Sequence, residues 1–433
     1  MKKVNLLLAA VVAASVSAPA VADYTPNAYF NGYMRAAAAF DKDGKFNALQ
    51  TNKLGRLGNE STTYGEIGIG ADVAKVDDTV WTVNSMLAVS TQNINSWVGL
   101  GDGSVETNND GSYKKAKEKD GEIALEQFNV EVKGLFESDK DAKIWVGKKY
   151  VQREDIHITD DYYYDISGNG AGIENVSLGA GKFSTAYVQN ANNMHNFDVR
   201  YSFPLWDGAN FQIGNVYSQE KKQNAADQQL NGNMLTLEFS QGFNGGWNKT
   251  VFQWKTGGQA GQGSGTAWGG EDGNGYKLYN FGETTIVGDL HMFHVVSYEY
   301  TKYDKPWHQD AELFDPNKKT KEWQVVIRPW YKLTKMTRVY AELGAWGKTT
   351  SQDSTLDGSG LEHQNEKAQK ITLAYAITPD ASSMWSRPEL RFFGTWLHGD
   401  TRNNGQKYHN AVVNSYRGGS VDLQFGVQAE AWW

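Results

Sequence analysis

The sequence predicts an all-β protein whose strands form an antiparallel β-barrel across a membrane. Three observations predict this fold: a secretory leader at the N-terminus, a chain rich in aromatic residues and glycine without a long apolar segment, and a C-terminal segment in which apolar and polar residues alternate. The leader indicates export, and the alternation indicates strands with one face toward lipid. The combination favours a barrel inserted after export over a membrane protein built from helices.

The N-terminus has the layout of a secretory signal peptide. Two lysines at positions 2 and 3 precede an apolar run at 6–14, and Ala-Val-Ala ending at Ala22 forms a small-x-small cleavage site. The apolar run is too short to span a membrane as a helix. We therefore expect cleavage after Ala22, which removes residues 1–22 and leaves residues 23–433 as a single transmembrane barrel domain.

The composition of the remaining chain suits strands better than membrane helices. No stretch is apolar and long enough for a spanning helix, and the mean hydropathy of the chain is only −0.58. Strands can still cross a membrane at this hydropathy, because lipid-facing and lumen-facing residues alternate. Aromatic residues make up 13% of the chain and glycines number 46, which suits aromatic girdles and many turns. Soluble extracellular β proteins share this composition, so it does not decide the question alone.

Cysteine usage and charge exclude several function classes. The chain has no cysteine, so an exported protein of this kind depends on its core or on a closed hydrogen-bond ladder. A net charge of −8 argues against nucleic acid as a partner and is compatible with a cation-preferring pore. The eight histidines show no metal-ligand spacing, and the Asp- and Gly-rich stretch at 102–110 lacks an EF-hand pattern. We expect no cofactor and no metal, although a loop calcium ion at 102–110 stays open.

The C-terminal segment 421–433 gives the clearest strand pattern. Its odd positions are Val, Leu, Phe, Val, Ala, Ala and Trp, whereas its even positions are Asp, Gln, Gly, Gln, Glu and Trp. A period of two predicts a strand with one face toward lipid and the other toward water. The alternative is an edge strand of a soluble sandwich. Polar, Gly-rich stretches at 99–122 and 256–275 are expected to be extracellular loops. The last of the expected long loops, around 399–419, is comparatively short.

Four segments place an aromatic residue on the face that carries charged and polar residues. Trp432 shares its face with Glu430, and Tyr33 alternates in step with Asn31 and Arg35. In the same way Tyr64 shares its face with Glu66, and Trp385 alternates with Arg387, Glu389 and Arg391 within a strand expected at 384–395. Sugars bind to such surfaces, because pyranose rings stack on aromatic faces while their hydroxyls bond to charged groups. These segments predict a sugar track along a lumen.

The chain resembles the maltoporin family along nearly its whole mature length. The motifs that carry the resemblance are GRLGNE at 55–60 followed by Tyr64 and Glu66, the block IWVGKKYVQREDIHITDDYYYDISGNGAGIENV at 144–176, WQVVIRPWYKLT at 323–334, QKITLA at 369–374, MWSRP at 384–388 and the final Trp-Trp. GRLGNE looks like an early strand motif of the family. The block at 144–176 is the most specific, since it is long and free of gaps.

The resemblance implies an 18-stranded barrel with an inward-folded third loop, assembled as a homotrimer in the outer membrane of a Gram-negative bacterium. Its partners would be maltose and linear maltodextrins, the lipid bilayer and lipopolysaccharide, and it would not be an enzyme. The family's slide of lumen aromatics would consist of Tyr33, Tyr64, Trp97, Trp247, Trp385 and Trp432. Trp97 would come from a loop that reaches the neighbouring subunit, and Trp247 stands where the family usually has Phe.

The same resemblance implies polar tracks and a constriction. The tracks would consist of Arg153, Asp155, Asp160 and Asp165 in the third loop, with Arg35, Arg56 and Glu66 on the opposite wall. Tyr162 would narrow the lumen as a steric gate, whereas Glu154 and Asp161 are interpreted as solvated loop acids. Glu126 stands where the family has arginine, a departure that would alter sugar preference or ion selectivity.

Three alternatives remain open at this point. A general diffusion porin would lack sugar sites, and a sucrose-type relative would change the charged and tyrosine positions of the constriction. Because Arg153, Tyr162 and Asp165 are retained, the maltodextrin type is favoured. A secreted glycoside hydrolase is more remote. It would also use aromatic residues and paired carboxylates, but it needs no lipid-facing apolar stripes.

Overall fold

The structure is a computed structural model that describes residues 25–44, 52–58, 63–91, 121–190, 194–220, 231–260, 273–302, 318–354, 360–403, 406–409 and 423–433. The expected signal peptide and the 102–110 stretch lie outside these residues. Among the residues described, no helix is long and apolar enough to cross a bilayer. Antiparallel strands dominate the described residues, which also include one short 3-10 helix at Asn52–Leu54.

Twenty-one strands are present in the described residues. They are β1 Asn27–Asp41, β2 Thr63–Val76, β3 Thr79–Thr91, β4 Gly121–Lys133, β5 Lys143–Lys149, β6 Glu154–Ile156, β7 Asp161–Tyr164, β8 Gly168–Leu178, β9 Gly181–Asn190, β10 Met194–Trp206, β11 Ala209–Glu220, β12 Asn231–Phe243, β13 Gly246–Gly257, β14 Asn274–Val287, β15 Leu290–Lys302, β16 Lys319–Lys332, β17 Thr337–Ser354, β18 Gly360–Ile377, β19 Glu389–Asn403, β20 Gln406–His409 and β21 Leu423–Trp432. Each pairs antiparallel with its neighbours.

Eighteen of these strands form a closed barrel, which confirms the predicted fold class. Pairing of β1 with β21, from Tyr33 opposite Trp432 to Asp41 opposite Gln424, closes the wall. The three strands outside the wall are β6 and β7, which pair with each other, and β20, which pairs with the end of β19. Closure satisfies the backbone groups that an open sheet edge would leave unpaired in lipid.

The two faces of the wall differ as the alternation predicts. On the outer face of β21, Phe425 and Val427 are 43% and 46% exposed, whereas Gln424 and Glu430 on the inner face are 0% and 2% exposed. The polar face is buried because segments inside the barrel pack against it. β21 pairs with β1 on one side and β19 on the other, which confirms the barrel strand and excludes the alternative of an edge strand in a soluble sandwich.

Short turns gather at one end of the barrel. Between β12 and β13, Asn244 and Gly245 both have positive φ angles of 41° and 74°, which is the backbone of a tight hairpin turn. Gly208 and Gly288 have positive φ in the corresponding turns after β10 and β14. At the other end the strands run longer, and β17 and β18 reach 18 residues. Since about 9–11 residues cross a bilayer, these strands extend beyond the hydrocarbon at the loop end.

The chain between β5 and β8 folds into the lumen, as expected for the third loop. We call residues 150–167 the third-loop segment. Five of its apolar and aromatic side chains are fully buried inside the barrel, and they are Ile156, Ile158, Tyr163, Tyr164 and Ile166. The Tyr164 hydroxyl donates to Asp198 on β10 at 2.5 Å, and Gln253 on β13 donates to the Tyr163 carbonyl at 2.6 Å. The lumen is therefore narrowed by chain that is tied to the wall.

A second segment also lies inside the barrel, and it corrects the strand assigned to GRLGNE. Residues 52–58 form the 3-10 helix and a turn instead of a strand, because Gly55 and Gly58 adopt positive φ angles of 89° and 72°. We call them the first-loop segment. The Leu54 carbonyl packs closely against Gly344 of β17, and a Cβ at Gly344 would overlap the carbonyl oxygen. Residues 59–62 lie outside the described part of the chain.

The strand expected at 384–395 is shorter than predicted. β19 begins at Glu389, and residues 381–388 form turns that fold toward the lumen. Pro388 immediately precedes the strand and has no N–H to donate to a ladder, so the strand starts after it. Trp385 therefore stands on a turn, and strand alternation does not position it.

Candidate functional site

A row of aromatic rings crosses the inner surface of the barrel. Ring centroids lie 6.5 Å apart for Trp385 and Trp432, 6.3 Å for Trp385 and Phe293, and 5.7 Å for Phe293 and Trp247. These spacings fall within the range of aromatic contacts. The structure thus brings three of the proposed slide residues together with one residue, Phe293, that the sequence analysis did not identify.

Tyr33 and Tyr64 extend the row toward the loop end of the barrel. Their ring centroids are 6.0 Å apart, and Tyr33 lies directly opposite Trp432 in the register of β1 and β21. The Tyr33 hydroxyl donates to Glu430 at 2.9 Å, and the Tyr64 hydroxyl donates to Glu66 at 2.6 Å. Each ring is thus fixed by a carboxylate at its rim. Trp97, the sixth proposed slide residue, lies outside the described residues.

Trp385 is held by a group that the sequence analysis missed. Its indole Nε1 donates to Glu283 on β14 at 3.0 Å, while the side chain is 39% exposed. An exposed indole with a fixed edge offers a flat apolar face to the lumen. Phe293 and Glu283 lie on strands whose two faces both carry apolar residues, so alternation alone did not show which face points inward.

His157 of the third-loop segment packs between two slide residues. Its ring centroid is 5.2 Å from Trp385 and 5.7 Å from Trp432. Burial, aided by the guanidinium of Arg56, lowers the pKa of His157 well below its ordinary value even though Glu430 opposes the shift. Arginine has no acceptor, so the contact of Arg387 with His157 Nε2 at 3.4 Å also requires a neutral imidazole. The third-loop segment therefore joins the aromatic row without placing a positive charge in it.

The polar residues proposed for the constriction lie in two groups, of which the first surrounds Asp160. Its carboxylate is 3.8 Å from Arg56 and 4.0 Å from Arg35. Arg56 also donates to the Tyr33 hydroxyl at 2.9 Å and lies 3.4 Å from Glu430. The first-loop segment, the third-loop segment and the wall meet here, next to the aromatic row. Arg56 reaches this place from the first-loop segment, so its assignment to the wall is wrong.

The second group surrounds Arg153. Its guanidinium carbon lies 4.5 Å from the ring centre of Tyr162 and 4.2 Å from that of Tyr150, and its Nε is 4.0 Å from Asp165. The cation thus holds two phenol rings in place. Asp155 is the Cα partner of Tyr162 in the β6–β7 hairpin. The structure places all of the proposed third-loop residues on the inward-folded chain.

Glu126 faces the lumen from an irregular position on β4. The register with β3 shifts between Met86 and Leu87, which leaves Glu126 as the extra residue of a β-bulge. Burial, followed by the charges of Glu66 and Glu126, raises the pKa of the Tyr150 phenol. Leu125 and Phe128 are 44% and 54% exposed on the outer face, and Gln127 accepts from the Tyr150 amide, so Glu126 lies with Gln127 on the lumen side of the wall.

The two acids interpreted as solvated are in fact bonded inside the barrel. The Asp161 carboxylate accepts from the Tyr279 hydroxyl at 2.5 Å and lies 3.7 Å from both Lys53 and Lys277. Although burial alone would raise it, these lysines lower the pKa of Asp161 below its ordinary value. Glu154 accepts from Lys249 at 3.2 Å. The prediction failed because residues far away in sequence, on the wall and on the first-loop segment, supply the cations.

A network of buried charges supports the middle of the aromatic row. Glu430 accepts from Arg387 and Arg391 at 2.6 Å each, and Arg391 continues the network to Glu389. The Arg387 guanidinium carbon lies 4.1 Å from the ring centre of Trp432. The network therefore orients the tryptophan. Among the described residues, no group of three His, Asp or Glu side chains is arranged to hold a metal ion.

Comparison with known proteins gives consistent matches. The sequence model of the LamB porin family matches residues 28–433. The maltoporin of Photobacterium profundum is 34% identical over 421 residues, which cover 93% of this chain and 93% of that protein. Maltoporin 1 of Klebsiella pneumoniae is 35% identical over 457 residues, covering 99% and 97%. The crystal structure of Pseudomonas aeruginosa OccK1 is similar in fold, with a TM-score of 0.50 and 9% identity over 94% of this chain and 99% of that one.

Proposed function

We propose that this chain, which belongs to the LamB porin family, is an outer-membrane channel through which maltose and linear maltodextrins diffuse passively. The observation that carries the proposal is the row of rings from Tyr64 to Trp247 beside the guanidinium and carboxylate groups of the lumen. With short turns on the periplasmic side, Tyr64 lies toward the outer mouth and Trp247 toward the periplasmic mouth.

The geometry explains how such a channel would favour linear glucose polymers over other solutes. Each pyranose stacks an apolar face on a ring, and the next ring begins about 6 Å further along, so contact is kept as the chain advances. Hydroxyls at the sugar rim exchange bonds with partly exposed groups such as Arg153, Asp160 and Asp165 instead of water. A series of similar weak sites permits entry and release, which a single tight site would prevent.

Channel function is favoured over hydrolysis by the state of the carboxylates. A glycosidase needs one carboxyl group that donates a proton to the leaving oxygen. Asp160 and Glu430 instead lie 2.6–4.0 Å from guanidinium groups, so each carboxylate is paired with cations and not placed as a proton donor. We propose that the protein releases no reducing sugar from maltohexaose. Release by purified protein, abolished in a carboxylate variant, would contradict this.

We also propose that three copies assemble around a threefold axis in a membrane with lipopolysaccharide outside. Membership of the family supports a trimer, and a loop bearing Trp97 would then add a ring from the neighbouring subunit to the outer end of the slide. Light scattering in detergent, with the detergent mass subtracted, measures the assembly, and a monomeric mass would contradict it.

Current block in planar bilayers tests the proposed function. Added maltose and maltohexaose should reduce the ion current through the channel in a saturable way, and the longer sugar should act at the lower concentration because it contacts more rings. Sucrose should block weakly. Equal, non-saturating effects of all three sugars would indicate a general diffusion porin, and sucrose block at the lowest concentration would indicate a sucrose-type channel.

Tyr162→Ala is expected to increase single-channel conductance measured without sugar. The Tyr162 ring packs against Arg153 on the third-loop segment, which folds into the lumen. Removal of the ring therefore widens the path for ions at the constriction. Tyr331→Ala is a matched control, since this tyrosine is 47% exposed on the outer face of β16. Equal conductance for Tyr162→Ala and the unaltered channel would show that Tyr162 does not limit the lumen.

A further inference from the structure

Tyr29 is an aromatic residue of the inner wall that lies apart from the slide. It occupies the same face of β1 as Tyr33, four residues nearer the short-turn end, which corresponds to about 13 Å along the strand. The Tyr29 side chain is 39% exposed, as much as that of Trp385 in the slide. An exposed ring on the lumen side of a sugar channel is available to a passing sugar.

The Tyr29 ring lies along the wall instead of standing out into the lumen. Its hydroxyl donates to Asn84 on β3, and β3 is separated from β1 by β2. Neighbouring strands are about 4.8 Å apart, so a side chain that reaches across one strand has to lie nearly parallel to the sheet. One ring face therefore rests on β2 and the opposite face is turned to the lumen.

Gly70 on β2 makes this orientation possible. It is the Cα partner of Tyr29, and a Cβ at Gly70 would overlap the Tyr29 Cζ and hydroxyl oxygen. Any larger residue would push the ring away from the wall. Gly70 is thus needed to make room for the Tyr29 ring. The barrel wall does not itself require glycine there, because it accepts side chains at most inward positions.

Hydrogen-bonding groups surround the ring. Asn84 donates to Asn129 at 3.1 Å. Two residues nearer the short turns, Asp72 on β2 accepts from its strand partner Thr82 on β3 at 2.7 Å. Thr82 lies opposite Asp72 on β2 and opposite Glu131 on β4, so both carboxylates belong to the inner face two residues nearer the short turns than Asn84. Asn84, Asp72 and Glu131 are only partly buried, so they can exchange bonds with sugar hydroxyls.

We propose that Tyr29, with Asn84 and Asp72 at its rim, is a separate binding site for a pyranose ring at the periplasmic mouth of the channel. It lies on the β1–β4 side, whereas the slide leads from Tyr33 toward Trp247 on the β13–β15 side. A linear maltodextrin that leaves the slide, or enters from the periplasm, stacks one glucose unit on this platform. The proposal rests on the proposed sugar-channel function and adds a site to it.

The test measures maltohexaose block of a single channel with sugar added to one compartment and then to the other. Tyr29→Ala is expected to lower the association rate about three- to tenfold from one compartment only, in keeping with the loss of one stacked ring. Gly70→Ala, which keeps the tyrosine but displaces its ring, is expected to have the same one-sided effect. Tyr29→Phe retains the ring and most of the rate.

Controls separate this site from the slide and from folding. Tyr276→Ala removes a tyrosine of similar exposure from the outer face and should change neither rate. Tyr64→Ala should lower the rate from the opposite compartment. Unchanged block of Tyr29→Ala from both sides, or equal losses from both sides, would overturn this site alone. Absence of sugar block in the unaltered channel would overturn the proposed function, and this site with it.

Discussion

Trp432→Ala is expected to raise the half-blocking concentration of maltohexaose about five- to thirtyfold while the barrel stays folded. The indole stands at the centre of the row, between Tyr33 in the strand register and Trp385 at 6.5 Å. Its removal takes away one stacking surface, at a cost of about 1–2 kcal/mol of binding free energy, and interrupts the row. The loss is larger than for a ring at either end, because sugar cannot advance without crossing the gap.

A control for this change is Trp323→Ala, since Trp323 is 41% exposed on the outer face of β16. It should leave the half-blocking concentration unchanged. Trp432→Phe should restore most of the affinity, because a smaller ring still stacks. If Trp432→Ala and the unaltered channel are blocked at the same concentration, sugar does not travel along this row.

Glu342→Ala is expected to cause the largest loss of stability, about 3–5 kcal/mol. Its carboxylate is fully buried and accepts from Arg328 at 2.7 Å, Lys370 at 2.8 Å and the Leu57 amide at 3.0 Å. Without it, two buried cations face each other and the first-loop segment loses an anchor to the wall. The temperature at which the folded band disappears in denaturing gel electrophoresis should fall, and conductance without sugar should rise as the segment loosens.

Glu342→Gln separates the two effects. The amide oxygen can still accept from the Leu57 N–H but carries no charge, so stability should fall while conductance changes less. Glu137→Ala, in an exposed turn, should alter neither quantity. An unchanged unfolding temperature in Glu342→Ala would mean that the carboxylate does not stabilise the closed lumen.

Alternation predicted the wall well wherever the two faces of a strand differ in polarity. β21 carries Gln424 and Glu430 on one face and Phe425 on the other, so both its existence and its orientation followed from the sequence. In β15 both faces carry apolar residues, with Phe293 inside and Val296 outside, and the pattern was ambiguous. The number of strands came from the family resemblance, since turns vary too much in length to be counted.

The inner segments were harder to predict, because their partners are distant in sequence. The first-loop segment was taken for a strand, although Gly55 packs on Glu342 of β17 and Lys370 of β18 donates to the Gly55 carbonyl. Asp161 was taken for a solvated acid for the same reason. Trp385 reached its proposed place in the aromatic row by a turn and a bond to Glu283, not by strand alternation. The alternation of polar and apolar residues indicates which face of a strand is exposed. It gives no information on which segments of the chain fill the lumen.

The pairing of β1 with β21 constrains the order of biogenesis. β1 is synthesised before all other strands of the barrel, but its partner β21 is synthesised last. Tyr33 can therefore pair with Trp432 only after the last strand has been made. Until then every partial sheet has two open edges, which hydrocarbon cannot solvate. Insertion strand by strand during translation is therefore disfavoured, and the chain has to be kept unfolded until it is complete.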